Sequence, residues 1–408
     1  MGGISSKARI DKALSASVPE SERIFGLENF GNTCYCNSVL QALYYCRPLR
    51  DKCIQESLTK QLEAEPEADD DLLGCLCDLF HTISTQKRKC GVHAPRRFVA
   101  KLKGENELFN NQMHQDAHEF LNYLINEMAE ILEKRHKRAA ALSKGAAAMQ
   151  GTHPVVDTND KGGAQGYNEQ QQQQQQEETQ TRESTDSEAT GTEVEGEASE
   201  TAPKTWVHSI FEGLLTNETR CLACDSVTSR DESFLDLSLE IEQNSSISAC
   251  MRNFSSSESL RGENKFFCDT CCSLQEARKR MRIKKLPRVL ALHLKRFKYI
   301  EQLQRFKKLS YRIAFPQELR LTDVCDEAHD PERKYRLFAV IIHAGSGPHH
   351  GHYVALVRAF GNQWLCFDDD VIEPIDEAQI EAYFGTSTDT VASTETGYIV
   401  FYEEFAEG

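Results

Sequence analysis

No run of apolar residues in this 408-residue chain approaches the roughly 20 needed to cross a bilayer, which excludes a helical membrane span. The amino terminus lacks the pattern of a secretory signal. Cysteine is too sparse for a disulfide scaffold: fifteen in a chain this long read as thiols that serve metal, catalysis or core packing. Together these absences point to a reducing compartment, cytoplasmic or nuclear. Basic charge is also short, and the net charge of −16 argues against a general nucleic-acid binder. No internal repeat is present, and the length permits a large core and two or three domains.

One stretch lacks what a core needs. Residues 145–203 contain no Leu, Ile, Phe or Trp, and carry twelve acidic residues against Lys161 and Arg182, a net of −10 that leaves only −6 for the rest. An unbroken glutamine run, 170–176, lies inside it. Such a segment cannot bury enough apolar surface to offset its ordering entropy, so a disordered acidic spacer is expected over about 140–204.

The remaining sequence reads as α+β, helices first and then an antiparallel sheet. Helical spacing is clear from Cys34 to about Cys46, from Leu72 to Ile83, and from Asp116 to about Glu133. Cys75 and Cys77 fall among the core positions of the second helix. Alternating or apolar runs predict strands at 234–241, 290–294, 335–343, 353–359, 364–368 and 398–402.

Three chemistry-bearing side chains stand out. Cys34 follows the turn Gly31-Asn32-Thr33 and opens a helix, where the positive end of the helix dipole lowers a thiol pKa from about 8.5. His352, in Gly351-His352-Tyr353, is a candidate base for that thiol. The runs 353–359 and 364–368 form a hairpin across residues 360–363, which brings Asp368 within reach of His352 for either plausible register. Asp369 and Asp370 compete with Asp368 for this role. His343, His349 and His350 crowd the same loop and are read as shaping it, while Cys36, Cys46, Cys53 and Cys250 are read as inert packed thiols.

Cys221-Leu-Ala-Cys224 and Cys268-Asp-Thr-Cys271 form two CxxC knuckles separated by 43 residues. Two pairs favour one structural zinc ion, held by Cys221, Cys224, Cys268 and Cys271, over a redox site. A strand pair such as 233–241 with its return would fill the gap. Cys272 is an adjacent bystander that could replace Cys271.

These motifs resemble a known family. Gly-Leu-x-Asn-x-Gly-Asn-Thr-Cys-Tyr-x-Asn-Ser at 26–38 is similar to the cysteine box of the ubiquitin-specific proteases. Gly351-His352-Tyr353 with Trp364-x-x-Phe-Asp-Asp is similar to their histidine box. Gln115-Asp116-Ala-His-Glu-Phe120 and Leu286-Pro-x-Val-Leu-x-Leu-His-Leu-Lys-Arg-Phe297 resemble two further signatures. The stretches beginning at Trp206, Leu215 and His293 are most similar to the short branch activated by WD-repeat proteins.

The resemblance implies a papain-like core in a single catalytic domain over 23–404, behind a flexible terminus at 1–22. It implies a helical thumb (about 23–136), zinc-pinned fingers (about 212–285), and a palm (about 205–211 and 286–404). It further implies Cys34 as nucleophile, His352 as general base and acid, Asp368 as orienting residue and Asn29 as oxyanion donor. Gln115 and Asp116 would cradle the ubiquitin tail. The partners implied are ubiquitin, ubiquitinated proteins and a WD-repeat activator. A catalytically dead ubiquitin binder would show a broken triad, yet all these residues are present. A protease for another ubiquitin-like modifier stays open at this point.

Two weaker signals complete the reading. Met1-Gly2-Gly-Ile-Ser-Ser6 fits the N-myristoylation pattern, which would support only reversible membrane contact. The basic run 278–285 reads as a solvated strand face, with a nuclear address or an acidic-partner site as alternatives.

Overall fold

The computed structural model describes residues 17–63, 70–111, 113–150, 204–321, 333–348, 350–387 and 395–405. The candidate acylation motif, the glutamine run and His349 lie outside the described residues. The chain divides into two units, Met1–Lys134 with Lys204–Gly408, and Arg135–Pro203.

The amino-terminal part of the first unit is helical. Helix Cys34–Tyr45 is buried along its whole length, and its polar side chains Asn37, Ser38 and Gln41 donate to Asp369 and to the carbonyls of Tyr35 and Phe25. Helix Leu72–Ser84 starts where the Asp71 carboxylate accepts the Gly74 amide at 2.8 Å, and it buries Leu72, Leu76, Leu79, Phe80 and Ile83 on one stripe. Helices Arg47–Glu63 and Arg96–Glu105 were not anticipated: the first has almost no apolar periodicity, and the second is a short one whose stripe is only Phe98, Val99 and Leu102. The helix expected to end near Glu133 runs over Ala117–Gln150. Beyond residue 134 it loses its apolar stripe but is rich in Ala, Lys and Arg, which propagate a helix without one.

The carboxy-terminal part is a mainly antiparallel sheet. In spatial order its strands are Val371–Ile375, Gln363–Asp368, His350–Phe360, Lys334–Gly347, Glu395–Phe405, Val289–Leu294 and Leu237–Leu239, with Glu318–Arg320 paired to the edge of Lys334–Gly347. The two-residue period puts Ile341, Ala355, Val357, Ile399 and Phe401 into the core shared with helix Cys34–Tyr45, and Ile342, Leu356, Val400 and Tyr402 into a second core behind it.

The single strand anticipated over 234–241 is two. Val227–Phe234 belongs to a four-stranded sheet with Gly213–Cys221, Ala277–Lys285 and Glu258–Leu260, whereas Leu237–Leu239 pairs in parallel with Val289–Leu294. Leu235 and Asp236 carry the chain from one sheet to the other. Alternation cannot reveal this, because it marks faces and not the sheet that backs them. The basic run lies on strand Ala277–Lys285, where Arg280 pairs with Glu218 and Lys284 with Asp231, each at 2.6 Å.

Arg296 is fully buried with no carboxylate partner among the described residues. Its guanidinium donates instead to the carbonyls of Gly397 (2.6 Å), Tyr311 (2.9 Å), Leu309 (3.0 Å) and Phe384 (3.4 Å), joining four segments of the sheet region. Replacement by Met would leave these carbonyls unsatisfied, so Arg296→Met is expected to lower unfolding stability by about 3–5 kcal/mol in urea titration.

Candidate active site

Strand Ile24–Leu27 pairs in parallel with Cys90–His93 and delivers the chain to a tight loop. Gly31 and Asn32 both take positive φ, 77° and 56°, a reversal that suits glycine and asparagine. The loop closes on itself: the Thr33 amide donates to Asn29 Oδ1 at 3.1 Å, and the Phe30 amide donates to Thr33 Oγ1 at 2.9 Å. Cys34 is then the first residue of its helix and only 1% exposed. Its thiol stands at the end where unpaired backbone amides favour negative charge.

The histidine arrives on the opposing hairpin. Phe360 pairs with Gln363 across a two-residue turn, but the register shifts by one between Arg358 and Phe360, and Ala355 lies opposite Phe367. The bulge puts the real register between the two considered from sequence. It brings Asp368 to His352, with Nε2···Oδ1 at 2.5 Å. His352 is held toward its positive form, up to about 9, by the neighbouring Cys34 sulfur and by Asp368, with burial opposing. The imidazole thus stands between the Cys34 thiol and the Asp368 carboxylate that holds it, a set able to transfer a proton from sulfur and return it to a leaving group.

Asp369 does not contact His352 in this way. Its carboxylate accepts Asn29 Nδ2 at 2.7 Å and Asn37 Nδ2 at 2.8 Å, and its carbonyl accepts the Leu27 amide at 2.8 Å. Asp370 supplies backbone against Gly26, where an added Cβ would come within 2.8 Å. His343 is buried beneath Gly351, whose added Cβ would lie 2.5 Å from His343 Nε2. Burial pushes His343 down to about 3, so it remains neutral. His350 sits opposite Gly347 at the strand end. Cys36, Cys46, Cys53 and Cys250 are buried, with burial pushing each thiol up.

Asp116 lines a cleft of about 590 Å³ together with His118, Glu119, His293, Phe297 and Tyr398 among others, whereas Gln115 does not reach it. Asp116 Oδ1 caps the His118 amide at 2.7 Å, while Oδ2 accepts the Tyr398 hydroxyl at 2.5 Å. Gln115 is buried and donates to Asn111. Sequence reasoning missed the network behind them. His118 bonds Asp236 at 2.7 Å and stacks on His293 at 3.8 Å, and His293 in turn meets Ser238 at 2.9 Å. Only His118 and His293, each inside a noticed motif, carried any signal.

The sequence profile of the family described as ubiquitin carboxyl-terminal hydrolase matches residues 25–402. The chain is 51% identical over 403 residues to ubiquitin carboxyl-terminal hydrolase 4 of Arabidopsis thaliana, covering 99% of each chain. It is 48% identical over 389 residues to ubiquitin carboxyl-terminal hydrolase 12 of Salmo salar, covering 95% of this chain and 92% of that one. The chain belongs to the ubiquitin carboxyl-terminal hydrolase family. It is a cysteine-type ubiquitin-specific protease with that family's mixed helix-and-sheet catalytic domain.

The hydrolase also brings its two cysteine knuckles together. The Sγ atoms of Cys221, Cys224, Cys268 and Cys271 all lie within 4.8 Å of one another. Cys221 ends strand Gly213–Cys221 and Cys268 ends strand Phe266–Cys268. Four converging thiols fit a tetrahedral metal ion. Cys272 turns away at φ 50° and donates to the Asp269 carbonyl. The 43-residue gap holds more than the strand pair envisaged: the chain descends to the large sheet, forms helix Ile247–Phe254, and returns by Glu258–Leu260.

The raised His352 value has a pH consequence. A cation whose folded pKa lies above its unfolded value of about 6.5 contributes stability that is full below that pH and lost as pH rises through about 9. In Asp368→Asn the His352 titration, followed by NMR, is expected to move down by at least about one unit, and the stability difference from wild type to shrink above pH 9.

Proposed function

We propose that the chain cleaves the peptide or isopeptide bond after the C-terminal glycine of ubiquitin through a thioester acyl-enzyme. The observation that carries this reading is Cys34 at a helix amino terminus beside His352, whose Nε2 is bonded to Asp368 at 2.5 Å. Cys34 sulfur attacks the glycine carbonyl. The resulting oxyanion meets the Cys34 backbone amide and Asn29 Nδ2, an NH₂ group with a second hydrogen beside the one given to Asp369. His352 passes its proton to the departing amine and then deprotonates the water that opens the thioester, with Asp368 steadying the imidazolium. Asp116 lines the cleft that takes the extended tail, and Gln115 lies buried next to it in the chain.

One zinc ion in the four-cysteine site would lock the finger strands in place of a hydrophobic core. A WD-repeat protein raising turnover is supported by apolar residues left exposed around that site, Phe267 at 54% and Leu274 at 60%. A myristoyl group on Gly2 would add weak membrane contact to a protein of the cytoplasm or nucleus.

Ubiquitin bearing an electrophilic C-terminal group is expected to form a covalent adduct with the wild-type chain and none with Cys34→Ala; an adduct that survives this change would refute the assignment. Asn29→Ala is expected to lower kcat by about 10²–10³-fold with a smaller effect on KM. Elemental analysis should give one zinc per chain, and its chelation should lower the melting temperature.

A further inference from the structure

We propose that His352, Asp368 and Asp369 form a second, inhibitory metal site that binds a divalent ion of the zinc type in place of the proton between His352 and Asp368. The proposal rests on the catalytic reading of these residues and adds a mode of regulation to it. One donor atom from each of the three lies within 4.8 Å of the others, a clustering that among the described residues only the four-cysteine site shares.

The donor set is an imidazole nitrogen and two carboxylates, which suits zinc better than calcium or magnesium. The site is reachable: the His352 side chain is 38% exposed and that of Asp368 53%. Asp369 is already oriented by Asn29 and Asn37, and its oxygens keep lone pairs beyond those two bonds. Outer hydrogen bonds of this kind fix a ligating carboxylate before the ion arrives. Cys34 adjoins the same imidazole but is not a member of the cluster. Zinc would take the Nε2 lone pair and release that nitrogen's proton to solvent. The His352–Asp368 bond is lost and hydrolysis stops, while the thiol stays unmetallated.

This differs from capture of zinc by a reactive thiol, and the difference is measurable. Zinc chloride is titrated calorimetrically into the full chain with its four-cysteine site already loaded. One further equivalent is expected, retained in Cys34→Ala, abolished in His352→Ala and weakened at least about tenfold in Asp369→Asn. Hydrolysis of a ubiquitin C-terminal reporter should fall along the same binding curve, while iodoacetamide still alkylates Cys34 fully at saturating zinc. Absence of the further equivalent, its survival in His352→Ala, or its loss in Cys34→Ala with protection of the thiol would overturn the proposal. A zinc-binding chain that never hydrolyses the reporter would instead count against the catalytic reading.

Discussion

The active centre hangs on a carboxylate that stands outside the line of proton transfer. Asp369 joins the cysteine loop and the histidine hairpin through two side-chain amides and one backbone bond, at Asn29, Asn37 and Leu27. Those partners lie 340, 332 and 342 residues away in sequence. Its positive φ of 49° turns the chain so that Asp368 points one way, to His352, and Asp369 the other. Loss of this tie would cost positional precision, because an error near 1 Å between thiol and imidazole is enough to slow such chemistry severely.

Around this tie, the two cores and the buried cation divide the labour. One core seats helix Cys34–Tyr45 on the sheet face that carries Tyr353 and Ala355, so the nucleophile's element and the histidine's strand pack directly. The other core lies behind the sheet, and Arg296 reaches across that region to satisfy carbonyls that no ladder would pair. A guanidinium does this because its donors splay in a rigid fork, whereas a lysine has one compact head.

Much of this was legible because chemistry and period leave local traces. The glycine–asparagine turn before Cys34, the two CxxC knuckles and the alternation around Tyr353 are all short-range signals. The bulge near Ala359 was not legible, since an extra residue leaves alternation intact on each side of it. Nor was the function of Asp369, which depends on partners brought in by the fold from more than 300 residues away. The switch of sheets at Leu235 and Asp236 was hidden for a related reason: Asp236 looks like a solvent-facing strand residue until His118 and Asn122 are placed against it.

Strand order has a bearing on biosynthesis. Glu395–Phe405, the most C-terminal of the described strands, is no edge: it lies between Lys334–Gly347 and Val289–Leu294. A ribosome releases Cys34 early, yet the sheet that presents His352 cannot close until strand Glu395–Phe405 has also emerged. A nascent or prematurely terminated polypeptide therefore carries the thiol without its base in place. Proteolytic power over ubiquitin conjugates is withheld until that strand is in place, an ordering that topology itself supplies.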